Sequence, residues 1–576
     1  MPHRSARHAA SILGLAALLV AGGSAGAQTG PARVVKDINS SLSSSSGSDP
    51  GQFAEFQGVA FFTAFAPGLG KELWKSDGTE AGTVLVKDVA PGPAYSYARD
   101  LTVVQDTLFF YADDEVHGFE LWKSDGTEAG TVLVKDINPG PGISFPLDAA
   151  PSLASAGGLL FFVANDGVHG TELWKSDGTE SGTTVVREIG AGGPAYPGQL
   201  TAIQDTVVFV ASDGTHGGEL WKSDGTAAGT EVLVDLRPGS AGSNPWVLGQ
   251  AAGLVYFTAS FEPYSSYSAL LRTDGTSGGT YFVQSFYYLY GSRGIEHAGS
   301  LFFRVQGFLG APPTIWRSDG SADGTGFVGQ FPSAPTAWIA EMTAWKGDLY
   351  VVVGAGVDER LELWKMSDAG DATHLRDFRA GGTGTFIYSL GLTAADGALV
   401  FRPFDPAYGF ELWRSDGTAE GTVLVQDLAP GIYSGQPAGM TLAGSRLFFA
   451  AYDAFLGREL WAGRAAILAR RPDRALQDLG QEIRGLVLPI GIERSLMAKL
   501  RAAETALHQR EGSAACMSLL EAFVRQVEAL SSTQISGPAS AELVEFTQEI
   551  VALLDDPPLV SPPPLRGAPA GKDRSR

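Results

Sequence analysis

A single cysteine, Cys516, in a chain of 576 residues removes disulfide frameworks and cysteine-rich zinc or iron–sulfur centres from consideration. A surplus of cations is missing too. Forty-one Lys and Arg face 63 Asp and Glu, a formal net charge of −22, so the basic excess that neutralises nucleic-acid phosphates or anionic lipid is absent. Beyond the first 27 residues there is no apolar run of the roughly 18 or more needed to cross a bilayer as a helix. Neither nucleic acid nor a membrane span is expected, and Cys516, on the apolar side of a helical pattern, is expected to be a buried, inert thiol.

What the sequence does carry begins with Arg4 and Arg7, an apolar stretch from Ala9 to Val20, and Ala25-Gly26-Ala27 before Gln28. This pattern predicts a secretory leader over residues 1–27 and an exported, acidic, soluble product. From Arg33 to Arg464 one pattern then recurs: Glu72-Leu73-Trp74, Glu120-Leu121-Trp122, Glu172-Leu173-Trp174, Glu219-Leu220-Trp221, Glu362-Leu363-Trp364, Glu411-Leu412-Trp413 and Glu459-Leu460-Trp461. Leu271 and Trp316 hold the tryptophan position in two degraded copies, giving nine units of about 48 residues. Such a unit cannot bury its own apolar face and has to stack on its neighbours.

In the second unit, Leu101–Val104, Thr107–Tyr111, Phe119–Lys123 and Thr131–Asp136 read as four short strands separated by Asp- and Gly-bearing turns. Four antiparallel strands per unit predict the blade of a β-propeller. Arg33-Val34-Val35-Lys36-Asp37-Ile38 matches the fourth strand Val84-Leu85-Val86-Lys87-Asp88-Val89, while the last unit stops after its third. The N-terminus is therefore expected to complete the last blade of one nine-bladed ring spanning residues 28–464. An open superhelical array, or a ring omitting one degenerate unit, is the alternative.

The repeat Glu-Leu-Trp-x-Ser-Asp-Gly-Thr-x-x-Gly-Thr, at Glu72–Thr83, Glu120–Thr131, Glu172–Thr183, Glu219–Thr230 and Glu411–Thr422, resembles the ELWxxDGT repeat family of bacterial secreted and surface proteins. That resemblance implies an exported repeat protein and no particular reaction. After Arg464, apolar residues spaced three and four apart over Asp473–Arg484, Ile492–Leu507, Ala514–Leu530 and Ala539–Leu554 predict a helical bundle over residues 465–556. The stretches Ser495–Ala503 and Leu519–Val527 are similar to the FIMAH-type helical domain appended to bacterial extracellular proteins. The proline-rich residues 557–576 are expected to be a disordered tail.

The Ser-Asp-Gly-Thr copies raise calcium as a ligand, but each offers only one Asp, so Asp77, Asp125, Asp177, Asp224 and Asp416 are expected to shape turns, and no metal or cofactor is expected. The repeated Glu is expected to pair with Lys75-type residues or a backbone turn, and His117, His169 and His216 to pack within turns. No spacing selects an acid pair from Glu262, Glu296, Glu341, Asp358 and Glu359, so no catalytic residue is expected. The degraded fifth and sixth units gain tyrosines, and Tyr264, Tyr267, Tyr287, Tyr288 and Tyr290 are the candidate binding residues, because tyrosine joins a flat apolar face to a hydroxyl. The sequence thus reads as an exported, non-catalytic binding or adhesion scaffold for a glycan or protein ligand at the cell surface or in the matrix. An extracellular polysaccharide hydrolase or lyase and a self-associating coat or matrix protein are the other readings.

Overall fold

The computed structural model describes residues 30–555 apart from 41–46, 146–152, 191–192, 194, 262–266, 288, 290–292, 306–311, 332–336, 356–359, 380–388, 431–433, 454, 510–511 and 532–533. The leader, the tail and Tyr264, Tyr288 and Tyr290 lie outside the described residues. Up to Arg464 the described residues form nine antiparallel four-stranded sheets in a ring, of which the seventh gains a short pair at Phe404–Asp405 and Gly409–Phe410 and the ninth takes its fourth strand from the N-terminal segment. The fold is a nine-bladed β-propeller with helices at its C-terminal end.

Strand alternation explains why the units stack. In the first blade Phe61 and Leu73 point one way and pack with Phe110 and Trp122 of the second, while Phe62 and Trp74 point the other way and pack with Phe448 and Leu460 of the ninth. Each tryptophan of the repeat is therefore a wedge between two blades. Polar links run in the same direction: Lys75 Nζ donates to the Gly126 carbonyl at 2.8 Å and Lys123 Nζ to that of Gly178 at 2.7 Å, in each case on the following blade.

Closure is made by the N-terminal strand. Ala32–Lys36 lies antiparallel to Gly457–Arg464, with Ala32 opposite Gly463 and Val34 opposite Trp461. Gln426 then clamps Ala32 from both sides, accepting its N–H at 2.9 Å and donating to its carbonyl at 3.0 Å. The ninth blade thereby gains the fourth strand that its own repeat lacks.

Five helices follow: α1 (Ala465–Leu468), α2 (Pro472–Gly485), α3 (Ile490–Leu507), α4 (Gly512–Leu530) and α5 (Gly537–Asp555). Leu476, Leu479, Leu496, Leu500, Leu520, Phe523, Leu543 and Phe546 form their common core, and Cys516 is buried within it, its thiol pushed up to about 11 by burial. The bundle docks against the closing blade through charge. Arg464, 2% exposed, faces Glu482 of α2 and Glu542 and Glu549 of α5, with its guanidinium 3.7 Å from the Phe546 ring; Arg446 also pairs with Glu542, and Arg33 of the closing strand with Glu545. Gly58, Asp77, Thr79 and Gly444, all in turns joining first to second or third to fourth strands, line a cavity of about 320 Å³ with Glu482 and Glu542. The helices thus meet the ring at turns of the eighth, ninth and first blades, and the opposite face carries the connections between blades together with the second-to-third-strand turns.

Candidate functional site

That second face is organised by the repeated glutamate. Glu72, fully buried, accepts N–H groups from Val89 and Ser96, both at 3.0 Å, in the linker to the next blade. Glu120 accepts from Ile137 and Asn138, Glu172 from Ile189 and Gly190, Glu219 from Leu236 and Ser243, and Glu411 from Leu428 and Gly435. Glu459 does the same across the seam, to Ile38 and Ser48. The glutamates therefore serve a backbone turn, while Lys75, Lys123 and Lys175 go to carbonyls of the following blade and Lys222 and Lys365 pair with Glu231 and Asp348 of their own. Burial outweighs the donated hydrogen bonds and pushes the Glu72, Glu120, Glu411 and Glu459 carboxyls up to about 7.

The linker so held ends in an unusual backbone. Immediately after Ser48, Ser96, Ala195, Ser243 and Gly435 stand Asp49, Tyr97, Tyr196, Asn244 and Gln436, with φ of 43°, 50°, 47°, 47° and 44°. Asp and Asn tolerate this left-handed conformation; an aromatic residue adopts it at a cost of roughly 1–3 kcal/mol. Tyr97 and Tyr196 nonetheless adopt it while 63% and 71% exposed, so the strain is not compensated by packing of the rings. Beside Tyr97 the rings continue as a row: Tyr95 lies 5.7 Å from it and 5.8 Å from Phe65. Trp246, also exposed, follows Asn244 by two residues. Phe145, the corresponding residue of the third linker, instead turns inward against Tyr111 at 4.4 Å. These aromatic residues were not among the sequence candidates. For Tyr196 the signal was present in the recurring Ser/Ala-x-Pro at Ser48-Asp49-Pro50, Ala195-Tyr196-Pro197 and Ser243-Asn244-Pro245; Tyr97, followed by Ala98, lies outside that pattern.

Of the sequence candidates, Tyr267 and Tyr287 are register partners at the far end of the fifth blade's outer hairpin. Glu262, Asp358 and Glu359 lie outside the described residues. Glu296 accepts from the Gly299 N–H at 3.1 Å, holding a hairpin turn. Glu341, on an innermost strand, accepts the N–H groups of Leu390, Gly391 and Leu392 of the next blade at 2.8, 3.1 and 2.8 Å. Gln52 and Gln199 brace the next innermost strand in the same way, through the N–H groups of Asp100 and Val247. Glu341 is thus a brace between blades. The turn aspartates are engaged as well: Asp77 Oδ1 accepts from both the N–H and the hydroxyl of Thr79, and Asp125, Asp177, Asp224 and Asp416 repeat the arrangement. His117, His169 and His216 pair through Nδ1 with Asp114, Asp166 and Asp213 of their own turns at 2.6–2.7 Å, and each imidazole is raised by that hydrogen bond. Sequence reading saw packing there and missed the Asp partner three residues back. His297, which the sequence places beside the tyrosine-rich units, is buried and lies 2.7 Å from Asp368 of the neighbouring blade.

No family model and no curated protein matches the chain. Among solved structures it is similar to a mutant puromycin hydrolase complexed with PGG, with 15% identity over 71% of this chain and 59% of that one and a TM-score of 0.33. It is also similar to an oligogalacturonate lyase in complex with manganese (11% identity, 54% and 86% coverage, TM-score 0.30) and to the β-propeller domain of the trilobed protease from Pyrococcus furiosus (10% identity, 56% and 96% coverage, TM-score 0.30). These matches correct one expectation. Solved chains that align with this propeller include hydrolases and a lyase, so the exclusion of an enzyme drawn from the sequence is withdrawn. At such identities and scores the matches bear on the fold alone and assign no reaction.

Proposed function

We propose that this chain is an exported repeat propeller that binds glycan on its linker face, with Tyr97, Tyr196 and Trp246 as stacking platforms and the carboxylate and amides of Asp49, Asn244 and Gln436 as hydrogen-bonding groups beside them. The observation that carries the reading is the pair of exposed tyrosines held in left-handed backbone at repeat-equivalent positions. Strain that packing does not compensate is retained where exposure of the side chain is itself selected. A sugar ring offers an apolar face to an aromatic ring and hydroxyls to amides and carboxylates, which is the mixture this face displays. The net charge of −22 favours a neutral glycan over a polyanionic one.

The test is glycan-array binding of residues 28–576, with and without EDTA, beside the double variant Tyr97→Asn/Tyr196→Asn. Asn244 already occupies the same position in the same conformation, so the substitution leaves the linker geometry intact. The expected result is binding that survives EDTA and falls at least about tenfold in the variant, the loss of two stacking contacts. Binding to no glycan, or equal binding by the variant, overturns the reading.

A further inference from the structure

On a chain of net charge −22, one cleft sets two cations against apolar walls. It lies where the ring, the bundle and the N-terminal segment meet, and its volume is about 310 Å³. The walls are Pro31, which precedes the closing strand, Leu424 and Val425 of the eighth blade's fourth strand, Ile467 of α1 and Leu553 of α5. Arg414, Arg470 and Glu549 supply the charge. Glu549 is engaged within the joint between ring and bundle, where it faces Arg464 at 3.2 Å. Arg414 is held by a neutral acceptor, its Nη1 donating to the Ala469 carbonyl at 3.2 Å, next in sequence to Arg470. Burial and then the Arg470 charge pull the Arg414 guanidinium below its ordinary range. Asp416, the acid that acts on Arg414 in the other direction, is occupied by the N–H and hydroxyl of Thr418.

Arg470 stands there against its own backbone preference. Helix α1 ends in a Schellman motif, in which the Arg470 N–H donates to the Ile467 carbonyl at 2.9 Å and the Arg471 N–H to that of Ala466 at 2.7 Å. The residue after the C-cap is therefore left-handed, with φ of 55°, and glycine is the usual occupant because a Cβ is strained in that conformation. An arginine kept at a glycine position points to its side chain as the reason. Two guanidiniums beside a short apolar cleft call for an amphipathic anion. Guanidinium donors match the two oxygens of a carboxylate, and the walls take an aliphatic chain out of water. At ~30 Å³ for each water-sized group, the cleft admits roughly ten non-hydrogen atoms, too few for a two-chain lipid. A sugar phosphate of that size would set its hydroxyls against Leu424, Val425 and Leu553, which offer them no side-chain partner.

We propose that this cleft binds a medium-chain aliphatic monocarboxylate, with the carboxylate at Arg414 and Arg470 and the chain along Pro31, Val425, Ile467 and Leu553. A ligand in that position touches the eighth blade, both ends of the bundle and the segment that closes the ring. Its charge also relieves the repulsion between the two guanidiniums.

Isothermal titration of residues 28–576 with butanoate, hexanoate and octanoate is expected to show a single site that tightens about fourfold per added methylene. Octylamine, with the same chain and the opposite charge, is expected not to bind. Arg414→Gln and Arg470→Gly are each expected to weaken octanoate at least about tenfold, and glycine suits the left-handed position, so the second variant keeps the turn. Ala552→Phe, at an exposed position of α5 on the rim of the cleft, leaves the core untouched and is expected to block binding. No binding by the wild type, affinity independent of chain length, octylamine bound as tightly as octanoate, or unchanged binding in the arginine variants or in Ala552→Phe overturns the proposal. A chain ended at Asp555 that binds octanoate at least about tenfold more tightly than the full chain makes residues 556–576 the occupant and overturns it as well. None of these outcomes depends on whether the linker face binds glycan.

Discussion

A buried carboxylate that accepts two or three backbone N–H groups is asked to be charged by its partners and neutral by its surroundings, and in Glu72, Glu120, Glu411 and Glu459 the surroundings prevail. The consequence for stability has a definite sign. Each group is raised from 4.5 to about 7 in the folded ring, so protonation favours folding. The stabilisation is complete below the unfolded value of 4.5 and is lost as pH rises through about 7. The size is on the order of 1–3 kcal/mol per site. In the acid range the turn aspartates oppose this trend. Asp125, Asp177, Asp224, Asp274 and Asp319 are lowered by their Thr or Ser hydrogen bonds, and their contribution, present above 3.8, is lost as pH falls through their folded values. Thermal melting followed by circular dichroism is therefore expected to be highest near pH 5–6 and to fall by several degrees between pH 6 and 8. Glu120→Gln, which keeps one carbonyl acceptor for the linker, is expected to reduce the size of that fall; an unchanged profile in the variant would assign the pH dependence to other groups.

At the scale of the strand and linker, the ring's period was legible in the sequence and its exposed chemistry was not. Glu-Leu-Trp at intervals of about 48 residues announces a stacked unit, and the orphan strand Arg33–Ile38 announces how the ring closes, because both follow from strand alternation and the cost of open edges. Alternation also separates Glu72 from Leu73, but it is silent on what a buried glutamate accepts, and that depends on a linker 17 to 24 residues away. Tyr97 and Tyr196 escaped notice for a related reason: their significance lies in φ, which composition does not encode. The degraded blades drew attention to tyrosine instead, where Tyr267 and Tyr287 simply pair across a hairpin. Trp122 shows how much the legible part carries. Wedged with Phe61 and Leu73 of the preceding blade and almost fully buried, it is expected to cost roughly 3–5 kcal/mol on Trp122→Ala, read as a lowered denaturation midpoint. Val132→Ala, on the exposed edge of the same blade, is expected to cost under about 1 kcal/mol; equal losses would mean that the tryptophan is not the wedge.

On the scale of the whole molecule, ring and bundle share one electrostatic joint. Arg464 ends the third strand of the ninth blade, the strand against which the N-terminus closes the ring, and it meets three carboxylates of α2 and α5. Burial raises Glu482 and Glu549, while the Arg464 charge is the largest influence pulling both down. Removing the cation leaves acids desolvated and facing one another, the situation in which breaking a buried pair costs roughly 3–5 kcal/mol. The bundle holds the closing strand by a second contact as well, from Glu545 to Arg33. Loosening the joint is therefore expected to reach the seam. By calorimetry Arg464→Ala is expected to split a single unfolding transition into two, an earlier one for the helices and a later one for the propeller, and to speed amide exchange in Ala32–Lys36 relative to the fourth strand of the second blade. If Arg464→Ala retained one transition and ordinary protection of Ala32–Lys36, Arg464 would not be the joint that couples the bundle to the seam, and closure would rest on the strand pairing, Gln426 and Glu459. A measured coupling would instead explain why the helices sit on the seam: the closing strand is joined to its blade by no hairpin, and the bundle adds buried area and charge at that strand.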